Sequence, residues 1–396
     1  MSKYSNGLVL LGFFLFVFTL TRQVPLIKYP SLLSLTLIAF LGIVFLIRKH
    51  RVKIEKNVFF VFVVTLIGLL FVALYQQQQP TLSLKFFFAV LLLNLVLILD
   101  FRDYRFYSIY TFLYSIQSLF VIGLALILIV FFNNETYKPL RHFFLMSSWG
   151  DIYTLGNGYY YRIQLMGNAL LPFFFFISFI FWKKFGHAKY IMLLAFVANV
   201  FAGNLAFHLF IFLFIILFYI LDNPKISFKF NMNWLLFILA AMVIVPAFIW
   251  FVINTIIRKS TGSVSSIGTR FDQFNVLMND ISSDYFSLLF GKGLGNTLSV
   301  VTHSRDYTGN VYYELQSLYF FNQLGVVFTL ALIYVHFKLL AARIYNKYLL
   351  LSYFMYLGYA STNPYFLDSN HILVLIMLMN LQYKIEQYKK YPQLTK

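Results

Sequence analysis

The sequence contains no cysteine, which removes disulfides, thiolate metal sites and thiol nucleophiles from consideration. Charge is almost as scarce. Only 11% of the 396 residues are Asp, Glu, Lys or Arg, against about 25% in an average soluble domain. Acidic groups are the rarest, with 13 Asp and Glu against 31 Lys and Arg and a formal net charge of +18. The sequence has no His-Glu-x-x-His, no Gly-x-Ser-x-Gly and no phosphate loop ending in Gly-Lys-Ser/Thr. The classical signatures of zinc proteases, α/β-hydrolases and P-loop nucleotide enzymes are thus absent. Asp272, Asp280, Asp284, Asp306 and Glu314 are carboxylates in the later part of the chain, scattered without a hard-metal ligand pattern. Thr19, Thr21 and Arg22 after the apolar run Gly7 to Leu20 do not make a small-residue cleavage site, so this run reads as an uncleaved first span.

What is abundant is apolar surface. Hydrophobic residues make up 61% of the chain, more than a soluble fold can hide. Runs such as Ser31 to Ile47, Val58 to Tyr75, Phe112 to Phe132 and Leu235 to Ile257 reach or approach the roughly 20 residues that span a hydrocarbon core. A bilayer offers no water to unpaired backbone groups, so spanning segments are helices or closed barrels, and runs without alternation select helices. Breaks at charge clusters and Pro, Gly or Asn place helices near 7–21, 30–47, 57–75, 81–100, 106–132, 167–182, 190–202, 204–221, 233–257, 314–337, 347–361 and 370–383. The fold class expected is therefore an all-α polytopic integral membrane protein with about a dozen transmembrane helices in a single domain, residues 1–396. No internal repeat is visible, and Gln76 to Gln79 before Pro80 reads as a polar turn.

With the N-terminus inside, the inside segments collect 20 of the 31 Lys and Arg, including Arg48, Lys49, Arg51, Lys53 and Lys56 in one short loop. This bias follows the positive-inside rule and puts both termini in the cytoplasm. A charge of +18 would suggest nucleic acid in a soluble protein; here its reading is topological, and no nucleic-acid partner is expected. Two long extracytoplasmic segments result, 133–166 and 258–313. They nevertheless keep eight cations: Lys138, Arg141, Arg162, Arg258, Lys259, Arg270, Lys292 and Arg305. Positive charge held on that side points to an anionic ligand. In the second segment Ile267, Phe271, Phe274, Leu277, Met278 and Ile281 recur at helical spacing behind Ser265 and Ser266, which predicts a helix lying on the membrane surface with its apolar face down.

Several residues have two readings. Gly291, Lys292, Gly293, Leu294 and Gly295 form either a tight turn or a phosphate cradle. Arg162, among Tyr159, Tyr160 and Tyr161, is either an interfacial anchor or a guanidinium fork for phosphate. Asn204 and His208, after the Gly203 break, mark a polar helix contact or part of a buried cavity. The 79 Tyr and Phe are mostly lipid-facing or packing groups, with a few interfacial ones placed to stack on sugar faces.

The tract Ser265, Ser266, Ile267, Gly268, Thr269, Arg270, then Gly291 to Gly295, then Tyr313, Glu314, Leu324 and Gly325, resembles the large outside loop and following helix of O-antigen polymerases and ligases. Tyr161 and Arg162 through Gly167, Asn168 and Ala169 look like the earlier arginine motif of the same superfamily. With span count and loop positions included, the resemblance covers most of the chain. It departs from the pattern where Gly203 and Asn204 replace an arginine often found at the broken helix, and no segment aligns with the ligases' proposed catalytic histidine. The second departure favours polymerase over ligase.

The resemblance implies an inverting, metal-independent glycosyltransferase of a bacterial inner membrane. It uses an undecaprenyl-diphosphate-linked oligosaccharide and no cofactor, with the bilayer and a chain-length regulator protein as partners. Arg270, Glu314 and His303 are the catalytic candidates, Glu314 as general base and His303 as the acceptor-binding alternative. Arg162, Asn168, Arg141, Lys292, Arg305, Gly291, Gly293 and Tyr313 are the substrate-binding candidates. The competing class is a transporter or glycan flippase, but transporters show repeated halves and charges at the midplane, and these helices are almost free of charge. A structural membrane scaffold is the third class. Epitope tags after Asn134 and after Ser304 should be accessible from outside intact cells, and tags after Lys53 or at Lys396 should not. Protection of the Ser304 tag in spheroplasts would reverse the orientation.

Overall fold

The computed structural model describes residues 12, 55–99, 101, 105–147, 149–154, 160–222, 266–302, 306–309, 313–361, 363 and 365–390. Apart from Gly12, the helices expected at 7–21, 30–47 and 233–257 lie outside them. In chain order the elements are α1 (Lys56–Tyr75), α2 (Pro80–Ile98), α3 (Arg105–Phe131), α4 (Lys138–Met146), β1 (Gly150–Thr154), β2 (Tyr161–Leu165), a 3-10 turn (Met166–Leu170), α5 (Leu171–Phe185), α6 (Lys189–Ala202) and α7 (Leu205–Asp222). After these come α8 (Ser266–Ile281), α9 (Tyr285–Phe290), α10 (Gln316–Ala341), α11 (Lys347–Ser361) and α12 (Ser369–Lys390).

The chain is mostly helical, and six of the described helices are long and apolar enough to cross a membrane: α1, α2, α3, α5 with the preceding turn, α7 and α10. The remaining expected helices, α6, α11 and α12, form where the apolar runs placed them. The termini of these elements follow from local chemistry. Pro80 opens α2, where its missing N–H costs nothing. Gly186 ends α5 and Gly203 ends α6, both in the left-handed conformation that closes a helix.

One end of the bundle is tied by cations. Arg343 donates to the carbonyls of Leu97, Ile98 and Leu99, each at 3.0 Å, and so occupies the C-terminal acceptors of α2. Asp222 at the end of α7 pairs with Lys184 of α5 and accepts from the Tyr348 hydroxyl of α11 at 2.6 Å. Lys384 of α12 lies 3.9 Å from the ring centre of Tyr107 on α3.

At the other end several helices stop short. The 14 residues of α6 and 15 of α11 make about 21 and 22 Å, against a hydrocarbon core of about 30 Å. Because Asp222 returns α7 to Lys184, α6 and α7 form a hairpin whose tip is Gly203 and Asn204. α10 is broken at Gly325 (φ 64°, ψ −174°). These ends meet: Asn204 lies 3.4 Å from Asn363, just past α11, and Ser317 in the first part of α10 donates to the Ser361 carbonyl at 3.1 Å. The interrupted ends of α7, α10 and α11 thus come together at one place in the bundle. Irregular backbone at this depth is tolerated because protein groups satisfy it.

Beside the tip of the α6–α7 hairpin lies an element that the apolar periodicity does not announce. β1 and β2 pair antiparallel with Tyr153 opposite Arg162, so the fold is not purely α. Tyr161, Ile163 and Leu165 are buried and alternate with Arg162 and Gln164, the period of two expected of a strand with one packed face. A helix forms there as α8, but its stripe divides. Thr269, Gln273, Leu277 and Ile281, four residues apart, are buried against protein, whereas Phe271 and Phe274 are exposed on another face.

Around Gly325 the backbones touch. A Cβ there would lie 2.4 Å from the Gly291 nitrogen, and one on Gly291 would lie 2.2 Å from the Gln323 oxygen. By contrast, a Cβ on Gly123 in the middle of α3 meets nothing within 4 Å. Gly325→Ala should therefore lower the thermal midpoint of the purified protein, since positive φ with extended ψ is essentially restricted to glycine and costs other residues about 1–3 kcal/mol. Gly123→Ala should hold or raise it by the helix preference for alanine, about 0.5–1 kcal/mol. Equal midpoints for the two variants would contradict the packing described.

Candidate functional site

Strand alternation turns Arg162 away from the buried Tyr161 and Ile163 towards the tip of the α6–α7 hairpin. Its stem runs past Gly203, where a Cβ would stand 2.5 Å from Arg162 Cγ; only glycine leaves that passage open. Arg162 Nε donates to the Ala202 carbonyl at 3.4 Å, and its guanidinium carbon lies 5.8 Å from the centre of the Tyr153 ring. Burial pulls its pKa below the ordinary arginine value, yet a guanidinium does not deprotonate in proteins. A charge is thus held in a poorly hydrated place. Among the described residues no carboxylate forms an ion pair with it. The nearby Asp151 is occupied by Arg141 in a bidentate pair, at 2.7 and 3.0 Å.

A second cluster lies where α8 meets the start of α10. Gln273 Oε1 accepts from the backbone N–H of Glu314 at 3.1 Å and of Leu315 at 3.2 Å, fixing the entry to α10. Arg270, one turn before Gln273, places Nε 3.2 Å from the Glu314 carboxylate, both side chains being partly exposed. Two candidates chosen for different roles are therefore one ion pair. Ser317, three residues after Glu314, donates to the Ser361 carbonyl, and Asn363, two residues after Ser361, lies 3.4 Å from Asn204, which follows Gly203 beside Arg162.

The glycine loop has a different role from a cradle. Its amide hydrogens are taken: Gly291 N–H by Ser287 O, Lys292 N–H by Asn322 O, Gly293 N–H by Gln323 O and Gly295 N–H by Gln323 Oε1. Gly291 and Gly293 are needed for close approach, a Cβ on Gly293 falling 2.9 Å from Ala73 Cα. The run is a tight turn clamped onto α1 and α10. Lys292 is directed to Ser283 Oγ at 2.7 Å and Asp284 at 3.2 Å. Asn168 is buried, accepting from Gln117 at 2.9 Å and donating to the Ile163 carbonyl at 2.8 Å, so its amide braces β2 against α3. Tyr313 is buried in an aromatic stack with Tyr307 and Tyr319 and offers no open face to a sugar. His303 and Arg305 lie outside the described residues.

No protein family, curated protein or solved structure matches the chain.

Sequence reasoning passed over a further polar group. Asp368 accepts from the Asn370 backbone N–H at 2.9 Å, the Asn370 side chain at 2.5 Å and the His371 N–H at 3.3 Å at the start of α12. The signal was present as Asp368, Ser369, Asn370 and His371, an N-cap pattern before an apolar run. Burial pushes the Asp368 carboxyl up to about 7 from its ordinary 3.8, against the hydrogen bonds, which work in the other direction. The folded protein thus keeps a proton that the unfolded chain releases above pH 3.8, so stability present below that pH is lost as pH rises to about 7. Asp368→Asn retains the capping oxygen and has no charge to bury. Its thermal midpoint relative to the native protein should climb between pH 4 and pH 8; parallel curves for the two proteins would rule this out.

Proposed function

We propose that the chain polymerises undecaprenyl-diphosphate-linked oligosaccharide repeat units into a surface polysaccharide, by inverting, metal-independent glycosyl transfer on the extracytoplasmic side of a bacterial inner membrane. The observation that carries this reading is the partly buried Arg162 guanidinium, which forms no ion pair with a carboxylate among the described residues and stands beside the tip of the α6–α7 hairpin in a chain with few charges. A planar fork suits a diphosphate better than a lysine does. The cation-tied end of the bundle is the cytoplasmic one in this reading, and both termini lie on that side.

In the reaction an acceptor sugar hydroxyl attacks the anomeric carbon of the donor. The bond from that carbon to the diphosphate oxygen breaks, the electron pair leaves with undecaprenyl diphosphate, and the hydroxyl proton passes to a base. Arg162 stabilises the charge that gathers on the leaving diphosphate. Arg270 and Glu314 have complementary parts. An incoming diphosphate competes with Glu314 for Arg270, and the released carboxylate accepts the proton. The ion pair at 3.2 Å is the resting form of both groups.

Hydrogen bonds to charged groups contribute about 1.5–3 kcal/mol, so Arg162→Ala should slow polymerisation by roughly ten- to a few hundred-fold if its contacts strengthen as the leaving group departs. Arg162→Lys should recover only part of the rate. Glu314→Gln should abolish turnover while the lipid-linked donor still binds. In cells, lipid-linked units would accumulate on the outer leaflet as polymer disappears. Native polymer from a well-expressed Arg162→Ala protein would end the proposal, and loss of glycan attachment with lipid-linked polymer left behind would identify a ligase instead.

A further inference from the structure

A cavity of about 230 Å³ lies among α2, α10, α11 and α12. Its wall is apolar except for Asn94, Ser317, Thr329, Tyr353, His336 and His371, and none of the residues lining it is Asp, Glu, Lys or Arg. Ile333, one of its lining residues, is half exposed on the surface of α10, a helix long and apolar enough to cross a membrane. For scale, an apolar cavity of about 150 Å³ suffices to bind benzene.

The polar groups are joined in a chain of hydrogen bonds. His371 Nδ1 lies 2.8 Å from the Phe366 carbonyl, and His371 Nε2 lies 2.8 Å from the Tyr353 hydroxyl. The same hydroxyl lies 2.5 Å from His336 Nε2, and His336 Nδ1 lies 3.2 Å from Asn94 Oδ1. The directions can be assigned from the fixed end. A carbonyl only accepts, so His371 carries its hydrogen on Nδ1 and accepts at Nε2 from Tyr353. Tyr353 has one hydrogen, so its oxygen accepts from His336 Nε2–H. A neutral His336 then has a bare Nδ1, and it faces Asn94 Oδ1, another acceptor. Turning the Asn94 amide over does not help, because its Nδ2 donates to the Val90 carbonyl at 3.0 Å and the turn would set oxygen against oxygen there. Four links have three hydrogens between them.

A fourth hydrogen has two sources, a proton or a donor on a molecule in the cavity. A proton would create an imidazolium in a wall that has no carboxylate, and an unpaired buried charge costs far more than an unmet acceptor. The hydroxyl or N–H of a neutral occupant completes the chain without charge. An anionic head would meet two acceptors and be repelled.

We propose that this cavity binds a neutral amphiphile with an apolar body and a hydroxyl or amide N–H head, whose hydrogen is shared between His336 Nδ1 and Asn94 Oδ1. The cavity is lined by none of Arg162, Arg270 or Glu314, and its occupancy does not depend on the chain being a glycosyltransferase. The ligand enters from the bilayer, head first, and its body fills the apolar part of the cavity.

The test uses the full chain in lipid nanodiscs with nitrogen-15 histidine, the seven histidines making assignment tractable by the loss of one signal in His336→Gln. Octanol and its methyl ether, nearly alike in shape and apolar surface, are the probes. Octanol should move the His336 Nδ1 resonance and bind on the order of tenfold or more tightly than the ether, since only the alcohol relieves the unmet acceptors. Equal binding of the two would overturn the proposal. So would an imidazolium signal from His336 or His371 at neutral pH before any alcohol is added, which would mean that a proton completes the chain. Should His336→Gln fail to fold, the comparison of alcohol with ether on the native protein still decides.

Discussion

Every buried peptide group in a low-dielectric surrounding must find a partner, and this constraint governs the half of the molecule where helices are interrupted. At Gly325 the ladder of α10 is broken, and the carbonyls of Asn322 and Gln323 lose their helical donors. They are answered by the N–H groups of Lys292 and Gly293 from a separate loop. Asn322 and Gln323 also use their side chains on that loop, through Asn296 and the Gly295 N–H. Asp280 of α8 accepts from both Asn322 and Asn296, so three elements are joined through one carboxylate. Remove the glycines and the loop cannot come near enough to serve. The loop is therefore part of the folding solution for a broken helix, and the ion pair of Arg270 and Glu314 rests on it.

The same logic explains why the cations fall into two kinds. At the tied end they are partnered: Arg343 by three carbonyls, and Lys184 by Asp222. At the other end most of the described ones are partnered too, Arg141 by Asp151, Lys292 by Asp284 and Arg270 by Glu314. Arg162 stands apart because its hydrogen bond is a long contact to a backbone carbonyl, the Tyr153 ring lies beside it, and the nearby Asp151 is taken by Arg141. A partly desolvated guanidinium set in this way is a poor contributor to folding and an attractor for an anion.

The helices were legible because unbroken apolar runs carry their own signal. The bounds 347–361 agree with those of α11, and α6 begins one residue before its expected start. Three things were not legible. The β-hairpin has only five residues in each strand, and its alternation in Tyr161 to Leu165 is too short to distinguish from a loop without its partner. The break at Gly325 sits inside the helix expected over 314–337, just after Asn322, Gln323 and Leu324, and the glycine by itself does not tell a tolerated helical position from one with positive φ. The glycine-rich run showed that the backbone comes close to something, but not that the something is protein. Arg162, Arg270 and Glu314 were named as candidates, whereas the pairing of the last two needed long-range geometry, the two lying 44 positions apart.

The fastening of one end has a mechanical meaning. With α2, α5, α7, α10 and α11 lashed together by Arg343, Lys184, Asp222 and Tyr348, that end acts as a fixed base. The segment of α10 before Gly325 is joined to the base by a single residue in a conformation outside the helical range, and it is held by the glycine loop, by Asp280 of α8 and by the burial of Tyr319, Asn322, Gln323 and Leu324. Glu314 lies just before this segment and is fixed by Gln273 and Arg270, so the position of its carboxylate is set by α8 and not by the tied base.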